Sequence, residues 1–267
     1  MPASHVPGEQ TWPTQPYPVK PAPLSRHTAI TAADLTDVTP ESRTFCTRLF
    51  SQFGLVGAAY TPTDTVLSLW FPGTLGGATW SGAAIDPVSG YAFVNVNEIG
   101  AMGQMRRRRA GSPAPEWERW APGGNYARFW DDNELPCTRP PWGKLLAVDL
   151  ATGEIAWTVP LGVNDSLLAR GVDRTGAPNI GGSIATAGGV VFIGSTNDKR
   201  FRAFDARTGA ELWVARIEGS AHATPITYRG PRSGKQFVVV AAGGGGQFDR
   251  DQADVVAAYA LPDGVAP

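Results

Sequence analysis

The chain has 267 residues and a mass of 28.3 kDa, with 42% hydrophobic and 10% aromatic residues: enough apolar surface for a core, and too much for a wholly disordered chain. Its 32 glycines and 23 prolines would interrupt any long helix, which excludes a helical bundle or a coiled coil. With 23 basic residues against 24 acidic ones the net charge is −1, so electrostatics gives no case for nucleic acid or an anionic membrane surface, and no apolar run reaches the ~18 residues of a membrane span.

Residues 1–27 begin MPASHVPGEQTWPTQPYPVKPAP, proline-rich and without the apolar stretch of a secretory signal, so no signal peptide is expected. Such a segment should lie extended, in polyproline II or turn conformation. Trp12 and Tyr17 suggest that it packs on a surface, with a flexible leader as the alternative. Residues 28–65 read as a helical insertion. Thr31 before Ala-Ala-Asp looks like a helix start, and Thr39-Pro40-Glu41 supplies an N-cap, a proline at the first helical position and an early acidic residue. Phe45, Leu49, Phe50 and Phe53 recur at helical spacing until Gly54, which predicts one helical stretch over 28–54. The two cysteines, Cys46 and Cys137, fit no zinc or CxxC redox spacing; on their own they read as buried thiols acting as small hydrophobes.

From residue 66 the pattern changes to short β-rich runs at 66–71, 91–96, 144–150, 190–195, 237–242 and 255–260, separated by Gly, Pro and Asp turns. This predicts an all-β architecture over 66–267. Within it, residues 97–141 read as a long irregular loop that contains Arg106 to Arg109 and Trp117, Trp120 and Trp130. The four arginines read as a solvated loop, with contact to an acidic partner as the alternative.

One internal repeat organises this region. Ala147-Val-Asp-Leu-Ala-Thr-Gly-Glu-Ile-Ala-Trp157 recurs as Ala203-Phe-Asp-Ala-Arg-Thr-Gly-Ala-Glu-Leu-Trp213, a shared AxDxxTGxxxW at an offset of about 56 residues. Each copy predicts a strand ending at Asp149 or Asp205, a turn with Gly153 or Gly209 at positive φ, and a following strand opened by Trp157 or Trp213. The Asp accepts hydrogen bonds from turn amides, and the Trp fills space between neighbouring sheets. These six positions are therefore structural, and the paired aspartates are not a catalytic pair.

The AxDxxTGxxxW repeat resembles the tryptophan-docking motif of quinoprotein dehydrogenases, which use pyrroloquinoline quinone (PQQ) on an eight-bladed β-propeller. Residues 72–90 (PGTLGGATWSGAAIDPVSG), 135–157, 181–213, 223–228 (ATPITY) and 235–263 are similar to the C-terminal part of the glucose and quinate dehydrogenase branch, and VPGEQTWPTQPYPVKP is similar to a connector inside that family's propeller. The resemblance implies a partial eight-bladed propeller. Residues 1–27 would be an inter-blade connector, 28–65 a helical insertion and 66–267 the C-terminal blades. At one blade per repeat the β region gives about 3.5 blades, short of a closed ring. It further implies a disulfide between Cys46 and Cys137 and a periplasmic location.

For the whole enzyme the resemblance implies oxidation of a sugar, polyol or quinate-type alcohol to a carbonyl, with electrons passed to a quinone or cytochrome acceptor. The cofactor would be PQQ with a divalent cation, Ca or Mg. The family's general-base Asp and its Lys or Arg near the quinone come from segments ahead of the connector, so this chain is expected to lack them and to be inactive alone. Neither Asp86 nor Asp249 is put in that role. The positions that match the family's cofactor pocket are Thr74 and Thr79, where relatives often carry Asn, then Trp80, Ile180, Gly181 and Gly182, and the run Gly243, Gly244, Gly245 and Gly246. In this last run Gly245 stands where a glucose-type relative has His. No metal ligand is assigned. Two other readings stand beside the enzyme: a non-enzymatic propeller scaffold, and one half of a split enzyme whose separate N-terminal half supplies the missing blades.

Overall fold

A computed structural model describes residues 1–262 except 76, 112, 125, 126, 247, 248 and 250. Those positions, and residues 263–267 at the end of the expected blade region, lie outside the described residues. A 3₁₀ turn at Ala32–Asp34 precedes helix α1 (Pro40–Phe50). The strands begin with β1 (Leu55–Gly57), β2 (Ser68–Trp70), β3 (Ala84–Asp86), β4 (Tyr91–Asn97), β5 (Ala101–Arg107), β6 (Trp117–Trp120), β7 (Gly143–Asp149) and β8 (Ile155–Pro160). A one-turn helix α2 (Asp165–Leu168) leads to β9 (Ser183–Ala185), β10 (Val190–Ile193), β11 (Arg200–Asp205), β12 (Glu211–Arg216), β13 (Ile226–Arg229), β14 (Gln236–Gly244) and β15 (Gln252–Tyr259).

The chain forms two compact units. The first comprises the described residues of Met1–Val19, Pro23–Gly77 and Asn97–Trp142. Its sheet has the order β1-β2-β5-β6, with β1 and β2 parallel and the other pairs antiparallel. The expected single helix over 28–54 is divided in two. Thr31 caps the 3₁₀ turn in a reciprocal box with Asp34, Leu35 then runs extended and bridges to Thr138, and Thr39 caps α1 with Pro40 in its first turn. The helix ends at Phe50, before Gly54. Ile30, Leu35, Cys46, Leu69, Phe71, Phe129 and Cys137 form the core of this unit, with Phe45, Leu49, Phe50 and Phe53 packed against it. Cys46 and Cys137 are joined by a disulfide across 91 residues of chain.

The region read as an irregular loop over 97–141 contains β5 and β6. Its strand character was hidden because arginines occupy positions where apolar residues would mark alternation. Pairing is instead supported by cross-strand charge and aromatic contacts. Arg106 sits 3.3 Å over the Trp120 ring, Arg107 pairs with Glu116 and Arg108 with Glu118. In the N-terminal segment Trp12 is exposed, while Tyr17 contacts the ring of His27 at 5.7 Å.

The second unit holds Lys20–Ala22, Ala78–Val96 and the described residues from Gly143 onward. It contains three antiparallel blades: β3-β4-β7-β8, β9-β10-β11-β12 and β13-β14-β15. The chain leaves the first blade after β4 and re-enters it at β7. The blade estimate from sequence counted that inserted length as propeller, which is why it exceeded three. Phe93, Leu145, Ala147, Leu161, Val191, Ile193, Phe204 and Ala206 fill the space between the first and second blades. Phe201, Ala221, Val238, Val240 and Ala242 do so between the second and third.

Both copies of the repeat build the same turn. Asp149 Oδ1 accepts from the amides of Ala151 and Thr152, and Asp205 Oδ1 from those of Arg207 and Thr208. Gly153 and Gly209 both have φ of +72°, a conformation that L side chains rarely adopt. The following strands begin two residues before Trp157 and Trp213, so each indole lies inside its strand and not at its start. Trp157 reaches the next blade, and Trp213 meets Tyr259 of the third at 4.9 Å.

Candidate functional site

Three equivalent segments of the second unit converge: those leading into β3, β9 and β13. A Cβ built on Gly182 would lie 2.7 Å from Thr224 Oγ1 and 3.1 Å from the Ser81 carbonyl oxygen, and one on Gly181 would lie 2.8 Å from the His222 carbonyl oxygen. Glycine is required at both positions because backbone from the neighbouring blades occupies the space of a side chain. Thr79 and Ser81 both donate their hydroxyls to the Ile180 carbonyl, Thr79 at 2.8 Å. The Thr79 hydroxyl is therefore spent on the backbone, which makes Thr79 a positioning residue at this corner. Trp80, between them, is 83% exposed and is not part of a core.

The end of β14 and the turn after it complete the cluster. The Gly244 amide donates to the Ser220 carbonyl at 3.0 Å and the Gly245 amide to the Asp251 carbonyl at 2.6 Å. Gly244, Gly245 and Gly246 have φ of +59°, +74° and +90°, and nothing lies near a Cβ on Gly246. The loop thus needs glycine for its backbone path while leaving open space above it. Thr74 belongs to the first unit, where its buried hydroxyl makes no hydrogen bond among the described residues.

Below the Gly181 corner lies a buried polar network that the sequence reading missed. Asn95 Nδ2 donates to Asn179 Oδ1 at 2.7 Å and to the Gly181 carbonyl at 2.9 Å, and Ser195 Oγ donates to the same carbonyl at 2.8 Å. Asn179 Nδ2 donates to the Val96 carbonyl at 3.1 Å. Asn95, Asn179 and Ser195 are all buried, where each lost partner would be costly. Ser195 also holds a left-handed backbone at φ of +67°, a strain of order 1 kcal/mol for a non-glycine residue. The one available signal was Asn95 inside the apolar strand run YAFVNVN.

The cluster also contains orphaned polar groups. Ser183 Oγ, Ser220 Oγ and Asp249 Oδ2 are buried without a hydrogen-bond partner among the described residues. Asp249 Oδ2 stands 3.9 Å from His222 Nε2, and His222 Nδ1 lies 3.3 Å from the Ser195 carbonyl oxygen. Asp86, by contrast, is held below the usual carboxylate range first by the Ser89 hydroxyl and then by the amides of Val88 and Ser89, against some desolvation. It closes a turn. In the cradle formed by the Gly181 corner and the glycine turn, Gly181 and Gly182 are buried, while Gly243 and Gly246 are exposed.

A family profile described as "PQQ: Glucose/ethanol/alcohol dehydrogenase, beta-propeller domain" matches residues 1–238. A "Probable quinate dehydrogenase (quinone)" of Xanthomonas campestris pv. juglandis is 37% identical over 286 residues, covering 97% of this chain and 35% of that protein. The "Quinate/shikimate dehydrogenase (quinone)" of Acinetobacter baylyi is 36% identical over 276 residues, covering 96% and 34% respectively. Among solved structures, the quinohemoprotein alcohol dehydrogenase of Comamonas testosteroni aligns with a TM-score of 0.47 at 28% identity, over 70% of this chain and 25% of that one. The chain spans about a third of the length of the curated relatives it matches.

Proposed function

Since the chain belongs to the glucose/ethanol/alcohol dehydrogenase β-propeller family of PQQ enzymes, we propose that it is the C-terminal blade set of a quinoprotein dehydrogenase acting on sugar, polyol or quinate-type alcohols. The whole enzyme would oxidise the alcohol to a carbonyl and pass electrons to a quinone or cytochrome acceptor in the periplasm. The observation that carries this reading is the meeting of Ser81, Gly182 and Thr224 from three successive blades around a corner that admits no side chain.

The residues present fit the group. Gly243 and Gly246 in the glycine turn leave room for close backbone approach, Trp80 offers an exposed aromatic face, and the buried Ser183 and Ser220 hydroxyls lack, among the described residues, acceptors that a carboxylate-bearing quinone has. When bound, PQQ supplies the two-electron redox chemistry. Asn95, Asn179, Ser195, Thr79 and Ser81 hold the Ile180–Gly181 backbone in place and so orient the cradle. The divalent cation, Ca or Mg, the general-base Asp and the Lys or Arg at the quinone belong to the remainder of the propeller.

A second observation supports that incompleteness. The third blade has three strands among the described residues where its neighbours have four. One of its faces packs on the second blade. The other exposes Ile226, Tyr228 and Val256, the last 71% exposed, an apolar surface suited to a further blade. The remaining blades would come from the rest of a longer polypeptide or from a separate chain. Fluorescence titration of the chain with PQQ tests the cradle. Saturable binding that Gly243→Leu, at an exposed position with room for a side chain, abolishes without unfolding is the expected result, and binding unaffected by Gly243→Leu would refute the assignment.

A further inference from the structure

We propose that His222 is a positioning residue of the cradle: when its imidazole takes up a proton, it donates to the Asp249 carboxylate and draws the glycine turn against the Gly181 corner. The geometry stands on the second unit's own hydrogen bonds, and only the purpose of the movement rests on the reading of this cluster as a cofactor site.

The pair is one proton short of a hydrogen bond. The Asp249 side chain is 6% exposed, and its Oδ2 has no hydrogen-bond partner among the described residues, an arrangement that is costly for a buried carboxylate oxygen. His222 Nε2 faces it at 3.9 Å, too far for a hydrogen bond. The other ring nitrogen, Nδ1, lies 3.3 Å from the Ser195 carbonyl oxygen, which can only accept, so Nδ1 carries the hydrogen of the neutral ring. Nε2 then presents a lone pair to Oδ2, acceptor against acceptor, and the gap stays open. A second proton on the ring makes Nε2 a donor, and the contact closes as a charge-assisted hydrogen bond.

Both partners are tied to the cradle. The His222 carbonyl oxygen occupies the space beside Gly181, 2.8 Å from where a Cβ would sit. Asp249 Oδ1 accepts from the Asp251 amide at 3.1 Å, and the Asp251 carbonyl accepts from the Gly245 amide at 2.6 Å. Closing the gap by about 1 Å, to hydrogen-bond length, therefore pulls through Asp251 on a turn whose glycines resist little. The other charges around the pair are Lys199 and Asp251, which bind each other at 2.5 Å. That bond holds the Lys199 ammonium above its ordinary range against some desolvation, with Asp249 adding to the effect. The segments 180–182, 194–195 and 220–221, which pack around His222, carry no ionisable side chain.

NMR titration of the intact 267-residue chain between about pH 5 and 8 tests the proposal without any cofactor. The Gly245 amide is expected to shift with the same midpoint as the His222 ring. In Asp249→Asn the ring should still titrate while the Gly245 shift is lost. His222→Gln, whose amide is a donor at every pH, should hold Gly245 at its acid position throughout. A contact that only stabilised the fold would give no such profile. PQQ affinity should rise by about fivefold more towards the acid end in the wild type than in Asp249→Asn. A Gly245 amide that stays flat while the ring titrates, one that still follows the ring in Asp249→Asn, or a PQQ pH profile that Asp249→Asn leaves unchanged would overturn the proposal. Coupling of Gly245 to the ring in a chain that binds no PQQ would uphold the pair and overturn the cradle reading.

Discussion

The indole Nε1 of Trp157 donates to the carbonyl of Ala206 at 3.0 Å, so the outer strand of one blade is tied to the turn of the next copy of the same repeat. Gly209 in that turn lies under the ring, and a Cβ there would come within 2.6 Å of Trp157 Cε3. Blade order is thus enforced by a residue pair, in addition to burial of Phe93, Leu145 and Val191 between the sheets.

Removing the indole should cost more than its hydrogen bond. Trp157→Ala is expected to destabilise the chain by about 3 kcal/mol, and Gly209→Val by about 2 kcal/mol through the left-handed backbone and the clash. Urea unfolding measures both. Values within about 0.5 kcal/mol of wild type would show that the blades dock without this contact.

The disulfide closes a long segment, so its loss should act largely through the unfolded chain. Replacing Cys46 and Cys137 by serine is expected to cost about 3 kcal/mol and to accelerate amide exchange in α1, whose Cys46 is its anchor to the core. Unchanged exchange in α1 would contradict this.

Asp165 provides a pH-dependent test. The Arg200 hydrogen bond and the nearby Arg200 and Arg216 charges hold its carboxyl below the ordinary 3.8, against some desolvation. A carboxyl with a depressed folded pKa contributes its stability in full above the unfolded value, and that stability is lost as pH falls through the folded pKa. NMR titration of the Asp165 carboxyl should give a midpoint below 3.8, and Arg200→Gln should raise it. An unmoved midpoint in Arg200→Gln would exclude Arg200 as the main cause.

Asn95→Ala should remove one donor each from Asn179 Oδ1 and from the Gly181 carbonyl, which keeps that of Ser195 Oγ. The expected cost is about 2 kcal/mol, with weaker PQQ uptake because the Gly181 corner loosens. A variant that loses stability and binds PQQ as wild type would limit Asn95 to a structural role.

What the sequence made legible was local. The Asp-Thr-Gly turn closes within five residues, so Asp149, Gly153, Asp205 and Gly209 could be read directly, as could the caps at Thr31 and Thr39. What it hid depends on partners far along the chain. Thr79 looks like a ligand-facing hydroxyl until Ile180, 101 residues away, takes its hydrogen bond. Asn95 and Asn179 are unremarkable apart and a buried network together. Strands of three residues, such as β1, β3 and β9, are too short to show alternation, and β5 and β6 replace it with Arg–Trp and Arg–Glu contacts.

The central claim is that this chain supplies one part of a PQQ cradle and that the rest of the propeller supplies the catalytic groups. The most direct measurement is PQQ-dependent dye reduction with quinate or glucose in the presence of Ca²⁺, made on the chain alone and after mixing with a polypeptide carrying the other blades. The account predicts no turnover alone, turnover in the mixture, and loss of that turnover with Gly243→Leu. Turnover by the chain alone, or a mixture that assembles with PQQ bound and stays inactive, would contradict it.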